Sequence, residues 1–135
     1  MSNLPIFDVA GSALQAQSVR MSTIASNLAN ADSVAGSAEA AYKPIEPIFQ
    51  ATPNSQDPSL TGVKVKEITT TGAPPIKRYE PGHPLADPDG YVYAPAIDPV
   101  SQMVDLISAS RSYQANVEVF STAKELAMAT LGMGK

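Results

Sequence analysis

The chain has no cysteine and no tryptophan, and His83 is its only histidine. Without cysteine, it forms no disulfide, holds no thiolate-bound metal and offers no cysteine nucleophile. Without tryptophan, it lacks one of the side chains that stack on sugars. These absences remove several classes of enzyme, and they leave the cellular compartment open.

Charge of either sign is also scarce, with nine Lys and Arg against 13 Asp and Glu and a net charge of −4. Lys77 and Arg78 form the only pair of adjacent basic residues. Because nucleic acids and anionic membranes are bound through clustered positive charge, we expect neither as a partner.

No apolar run is long enough to span a bilayer, and we expect a protein that is not inserted in a membrane. The first residues also lack the basic segment, continuous apolar run and small-residue cleavage site of a secretory signal peptide. The sequence therefore predicts a protein that stays in the cytoplasm or leaves it by a route without a cleaved signal.

The charges and prolines that are present divide the chain into three zones. Residues 1–42 carry four charges and residues 43–97 carry eleven, while eleven of the 12 prolines lie between positions 44 and 99. We expect an α+β fold in which terminal helices, 1–31 and 98–131, pair as a coiled coil. Residues 32–97 form a loop and a small β domain.

The C-terminal zone has an apolar seam with heptad spacing, which is typical of a long amphipathic helix. Asp98 is suited to the N-cap and Pro99 to the first helical position, while Gly132 is expected to end the helix in a left-handed conformation. Such a helix is roughly 50 Å long, so part of its seam must meet another molecule. Its seam occupies two adjoining heptad positions: Leu106, Tyr113, Phe120 and Ala127 on one, Met103, Val117 and Leu131 on the other.

The N-terminal zone repeats this pattern from Pro5 onward. Gln17 interrupts its seam, as Ser110 and Lys124 interrupt the C-terminal one, and polar seam residues fix register at a cost in stability. The remaining side chains are mostly small, which favours close packing against other helices. The seam again has two rows: Phe7, Leu14, Met21 and Leu28 on one, Ala10, Ile24 and Ala31 on the other.

The middle zone reads as short strands separated by turns, at 42–51, 62–71, 76–80 and 90–94. In the second, Val63 and Val65 face one way, and Ile68 shifts the alternation by one residue, which indicates a β-bulge. Asp89-Gly90 is a favoured tight-turn pair that leads into the last strand.

An active site would have to use His83 together with Asp87 and Asp89. One histidine and two aspartates separated by prolines match no metal-ligand spacing, and Asp-Pro-Asp-Gly is only a fragment of a calcium loop. Pro, Gly and Asp are the residues that build turns, so we interpret this segment as a turn. We expect no catalytic residue, no metal, no cofactor and no small-molecule ligand.

Polar side chains beside the two seams are candidates for interhelical hydrogen bonds that set how neighbouring subunits dock. The pattern leaves simpler roles open, since Arg111 can pair on the surface with Asp105 or Glu118, and Tyr113 can be ordinary core. The candidates for interhelical polar contacts are Asn27, Asn30, Arg111 and Asn116.

Three segments carry a resemblance to a known family: IFDVAGSALQAQSVRMSTIASNLANADS, YEPGHPLADPDGYV and MVDLISASRSYQANVEVFSTAKE. Together they resemble the bacterial flagellar basal-body rod proteins, over nearly the whole chain. The NLANA segment is shared with other axial proteins of the flagellum. The other two segments resemble the proximal rod more specifically.

The resemblance implies a structural subunit of the periplasm-spanning rod, a hollow, helically assembled drive shaft that encloses the export channel. It implies terminal helices lining the inner tube, a β domain outside, and secretion by the flagellar type III apparatus without a cleaved signal. The implied partners are copies of the chain, other proximal and distal rod proteins, and the base ring or export apparatus.

The residues expected to pack between helices and subunits are Phe7, Leu14, Met21, Ile24, Leu28, Met103, Leu106, Tyr113, Val117, Phe120 and Leu131. Two other classes of function stay open at this point. One is a monomeric adaptor whose helical hairpin docks a single partner, and the other is an enzyme that modifies the periplasmic cell wall.

Overall fold

A computed structural model of the protein describes residues 5–134. Two long helices, α1 (Pro5–Ala29) and α2 (Pro99–Met133), flank four strands in the middle of the chain: β1 (Ile45–Pro53), β2 (Thr61–Thr70), β3 (Ile76–Tyr79) and β4 (Tyr91–Ala94). The strands form two antiparallel sheets of two strands each, β1 with β2 and β3 with β4. The predicted α+β class is confirmed. Neither helix of the described chain is apolar and long enough to cross a membrane.

The N-terminus of α2 agrees with the prediction, and its C-terminus does not. The Asp98 carboxylate accepts hydrogen bonds from the backbone N–H groups of Val100 (3.2 Å) and Ser101 (3.3 Å), as expected of an N-cap. Gly132, however, lies inside α2, and the helix ends at Gly134 with φ −86°. The prediction for Gly132 was wrong because this exposed helix end makes no tight chain reversal that would require the left-handed region.

The end of α1 also differs slightly from the prediction. The backbone N–H of Asn30 is shared between the carbonyl oxygens of Ser26 and Asn27, both at 3.2 Å, so the last turn tightens. Ala31, which was expected on the seam, therefore lies in the turn after the helix.

The β1–β2 sheet contains the predicted bulge. Ile48 pairs with Glu67 and Phe49 with Val65, so Lys66 is the extra residue on β2. The bulge changes the alternation so that Ile68 lies on the same face as Val63 and Val65. That face packs against α1, where the Ser12 hydroxyl accepts a hydrogen bond from the Val63 N–H at 3.1 Å.

The β3–β4 sheet packs on the loop that follows α1. Ala35 forms an isolated antiparallel bridge with Tyr93, through two backbone hydrogen bonds of 2.9 Å. Val92 on β4 is fully buried, and Ala41 and Ala94 are nearly so. This small second core fixes the β3–β4 hairpin to the loop.

The two helices run antiparallel along each other. Near one end, the rings of Phe7 and Phe120 meet edge to face, with centroids 4.8 Å apart. Near the other end, Asn27 of α1 is hydrogen-bonded to Gln102 of α2. In this antiparallel alignment, the last turns of α2 extend beyond Pro5, the first described residue of α1.

Candidate assembly surface

The face of α2 that packs on α1 includes one of the two predicted seam rows. In the predicted row, Leu106, Tyr113 and Ala127 are half-buried and Phe120 contacts Phe7. The other row on this face is Gln102, Ala109, Asn116 and Ala123, of which Ala109 and Ala123 are buried. The alternation of large and small residues lets the helices approach closely. Because the second row contains no large apolar side chain, the heptad pattern of large apolar residues did not reveal it.

The second predicted seam row of α2 does not lie on the face that packs on α1. Met103, Val117 and Leu131 are 54%, 45% and 73% exposed, so none of them is buried against α1. The alanine spacing at 109 and 123 was the sequence signal for the observed contact. Large exposed side chains on the remaining surface of α2 are free to contact another molecule.

The predicted seam residues of α1 lie in or beside its contacts. Ile24 is buried, whereas the larger row, Phe7, Leu14, Met21 and Leu28, is half-buried. The helix packs on α2 and on the β1–β2 sheet, so its apolar positions have partners on two sides. The sequence pattern revealed the first of these contacts but not the second.

Asn27 joins three elements and is 3% exposed. Its Nδ2 group donates to the Ile45 carbonyl (2.9 Å) and to Gln102 Oε1 (3.2 Å). Its Oδ1 atom accepts from the Ile45 N–H and the Tyr42 hydroxyl, both at 3.0 Å. All four hydrogen-bonding positions of the amide are used, so Asn27 ties α1 to the start of β1 and to the start of α2.

The other predicted polar candidates make different contacts. The amide group of Asn30, just after α1, donates to the Ser26 carbonyl of α1 (2.9 Å), and that of Asn116 donates to the Ser112 carbonyl of its own helix (2.8 Å). Arg111 is exposed. Asp105, one of its proposed surface partners, instead forms an interhelical ion pair with Arg20 of α1, with Oδ1 of Asp105 3.9 Å from Nη2 of Arg20. This pair was not among the sequence-based predictions.

Gln17 occupies the seam of α1 as a half-buried residue. Its Oε1 atom is buried and has no hydrogen-bond partner among residues 5–134. A buried acceptor without a partner costs free energy, so this position stabilises the folded chain less than an apolar residue would.

Large apolar side chains cover the side of α2 that faces away from α1. In its first turns they follow the spacing i, i+3, i+4, i+7, and they are 68%, 54%, 60% and 56% exposed: Val100, Met103, Val104 and Ile107. We call these four residues the outer stripe. A helix that is apolar on more than one side is typical of a packed environment, which the single chain does not supply.

The segment around His83 folds into a turn. The Asp87 Oδ1 atom accepts hydrogen bonds from the backbone N–H groups of Asp89 (3.0 Å) and Tyr91 (2.8 Å). Gly90 has a φ of +86°, a value that favours glycine. His83 Nδ1 accepts from the Leu85 N–H at 3.0 Å. The described residues contain no group of three or more metal-ligand side chains.

Asp57 stabilises the loop between β1 and β2. Its carboxylate accepts hydrogen bonds from the hydroxyl (2.6 Å) and backbone N–H (3.0 Å) of Ser59. These bonds hold the pKa of the Asp57 carboxyl below its ordinary value. The shift has a purely local cause within an exposed loop.

Comparisons with known proteins match both ends of the chain and its full length. Residues 7–36 match the family model described as "Flagella basal body rod protein", and residues 89–133 match "Flagellar basal body rod FlgEFG protein C-terminal". A flagellar basal-body rod protein FlgC of Escherichia coli O6:H1 is 51% identical over 136 residues, covering 100% of both chains.

The chain belongs to the FlgC family of flagellar basal-body rod proteins. The FlgC protein of Salmonella typhimurium is 50% identical, again with 100% of both chains covered. That of Aquifex aeolicus is 44% identical over 88% of this chain and 87% of its own. As a FlgC family member, this protein is a structural component of the rod and not an enzyme.

The two matched regions contain the helix pair. Residues 7–36 include nearly all of α1, and residues 89–133 include all of α2 together with β4. The matched regions therefore contain both residues of the Phe7–Phe120 contact, both residues of the Asn27–Gln102 hydrogen bond, and the outer stripe.

Proposed function

We propose that this chain is a subunit of the proximal rod, where α1 and α2 pair as a coiled coil in the wall of the inner tube and the β sheets lie outside. Copies of the chain, together with other proximal and distal rod proteins, assemble helically around the export channel. The rod carries torque through packing and hydrogen bonds. Contacts with the base ring or the export apparatus complete the proposed set of partners.

One observation supports this role above the others: α2 is apolar on the side away from α1. Apolar surface that stays exposed in a single chain is a source of association energy, at about 25 cal/mol for each Å² removed from water. Contacts between different surfaces of identical subunits build an open helix when the rotation between them does not close. A structural tube uses both properties.

A monomeric adaptor fits the structure less well. Such a hairpin would cover its seam within one chain, whereas the outer stripe is more than half exposed. The cell-wall enzyme also lacks support, because the carboxylates of Asp87 and Asp89 belong to a turn in which Asp87 holds backbone N–H groups.

Matched substitutions test the structural role. Phe120→Asp places a carboxylate beside the ring of Phe7, so we expect it to weaken the helix pair and to reduce hook formation and swimming. His83→Ala removes one local hydrogen bond at a turn, so motility should stay close to normal. Loss of swimming with His83→Ala in normally assembled rods, together with normal swimming with Phe120→Asp, would contradict the proposal.

We also propose that the chain is exported through the flagellar type III apparatus with its N-terminus uncleaved. Family membership supports this route. Mass spectrometry of the protein in isolated basal bodies should find a first residue of Met1 or Ser2. A chain that starts beyond residue 15 would show that a signal is removed and that another export route is used.

A further inference from the structure

A groove runs between α1 and the part of the β1–β2 sheet face that α1 leaves uncovered. It is shallow and open to solvent, with a volume of about 330 Å³, and is lined by Ser18, Val19, Ser22, Thr23, Ile45 and Ile68. We call it the α1 groove. Ile68 is 52% exposed, because α1 covers only part of the apolar face of the sheet. An apolar side of another molecule, placed in the groove beside α1, would bury more of this sheet face.

The hydroxyls of Ser22 and Thr23, two of the three that line the groove, already have hydrogen-bond partners within α1. The Ser22 hydroxyl donates to the Ser18 carbonyl at 3.0 Å, and the Thr23 hydroxyl donates to the Arg20 carbonyl at 2.8 Å. Apolar side chains can cover such hydroxyls without leaving a donor unpaired. None of the lining residues is charged, so no ion must be desolvated. The groove is therefore suited to an apolar occupant.

Small side chains in the lining of the groove also favour a helix as the occupant. Ser18 and Ser22 are separated by one helical turn, and their short side chains let another helix approach closely. An amphipathic helix that enters such a groove presents anchors at i, i+3, i+4 and i+7. The outer stripe, from Val100 to Ile107, has this spacing.

We propose that the α1 groove of one copy receives the outer stripe of a second copy, and this inference rests on the proposed rod function. The two surfaces lie on different helices of each chain and face different directions, so one copy uses both at once. Asp105, the only charge within the stripe segment, faces Arg20 of its own α1 and does not enter the groove. Such head-to-tail contacts continue from copy to copy.

Cysteine cross-linking tests the contact directly, because the chain contains no cysteine of its own. The double variant Ser22→Cys with Val104→Cys places one thiol in the groove and one on the stripe. Packed helices have axes about 8–10 Å apart, and both positions face away from the α1–α2 contact. Within one chain, the two Cα atoms are therefore beyond the roughly 7 Å limit for a disulfide, and a bond must join two copies.

After mild oxidation of basal bodies isolated from cells that carry the double variant, we expect a ladder of cross-linked chains that reductant removes. Each single variant should give no disulfide-linked dimer, because a head-to-tail contact does not bring two identical positions together. The matched control pairs Ser22→Cys with Glu118→Cys. Position 118 lies about 21 Å further along α2 than position 104 and should not cross-link.

The outcomes separate this inference from the proposed function. If the double variant builds motile rods but stays monomeric on oxidation, or cross-links only to a different protein, the groove does not receive the stripe, and the rod function stands. An equally strong ladder from the control pair would also overturn the inference. Absence of the chain from isolated basal bodies would overturn the proposed function and this inference with it.

Discussion

At the scale of single residues, Asn27 shows what a sequence can and cannot predict. Its position beside the seam made it a candidate for an interhelical contact, and its bond to Gln102 is such a contact. Its bonds to Tyr42 and Ile45 depend on where the chain returns after a loop of more than ten residues. No local pattern contains that information, so the link from α1 to β1 appears only in the structure.

Asn27→Ala should destabilise the protein strongly. The substitution leaves the backbone of Ile45 and the Tyr42 hydroxyl without their partner in a buried site, and we expect a loss of about 2–4 kcal/mol. Urea unfolding of the purified chain measures it. Asn30→Ala is the matched control, because the Asn30 side chain makes one local bond, to the Ser26 carbonyl, and its loss should cost less than about 1 kcal/mol. Equal losses for the two variants would contradict the assignment.

Gln17→Leu should stabilise the isolated chain. The substitution replaces a buried acceptor that has no partner in the described chain with an apolar side chain of similar size, and we expect a gain of about 1–2 kcal/mol. Urea unfolding measures this change too. If Gln17→Leu destabilises the monomer, the Gln17 amide must make a favourable bond within the single chain, and its assignment as a costly seam residue is wrong.

At the scale of elements, the sequence predicted both helices and all four strands near their observed positions. Periodicity and capping residues are local signals, and so is the Val63, Val65, Ile68 pattern that revealed the bulge. The side of α2 that meets α1 was harder to predict. Apolar residues lie all around α2, so large side chains indicated Met103 and Val117, whereas the contact uses Ala109 and Ala123.

The exposed apolar residues of α2 predict that the stability of this helix varies along its length in a dilute monomer. Its last turns carry exposed apolar residues, including Leu126 (64%) and Leu131 (73%), and unpartnered helix ends are marginal in water. We expect fast amide exchange for residues 121–133. Slow exchange is expected for β1, β2 and the part of α1 near Asn27.

The matched measurement is the same exchange experiment on assembled basal bodies, where residues 121–133 should become protected. Strong protection of residues 7–30 and 100–130 already in the dilute monomer would contradict the expectation. It would favour a self-contained helical hairpin and therefore the adaptor interpretation.

At the scale of the whole molecule, the described chain has a thin core. Its buried apolar residues are mostly alanines, with Val92 the largest fully buried side chain, whereas many larger apolar residues are exposed. In the proposed rod, neighbouring subunits would cover the apolar side chains that the single chain leaves exposed. The sequence indicated this through helices longer than a small core can cover, but it could not show which faces remain open.

The most direct test of a structural role in the rod is an electron cryomicroscopy map of intact basal bodies from cells that carry this gene. We expect density for this chain within the rod, with α1 and α2 in the wall of the inner tube and the two β sheets on the outer side. A map in which the chain is absent from the rod, or is bound as a single copy at its periphery, would contradict this structural role.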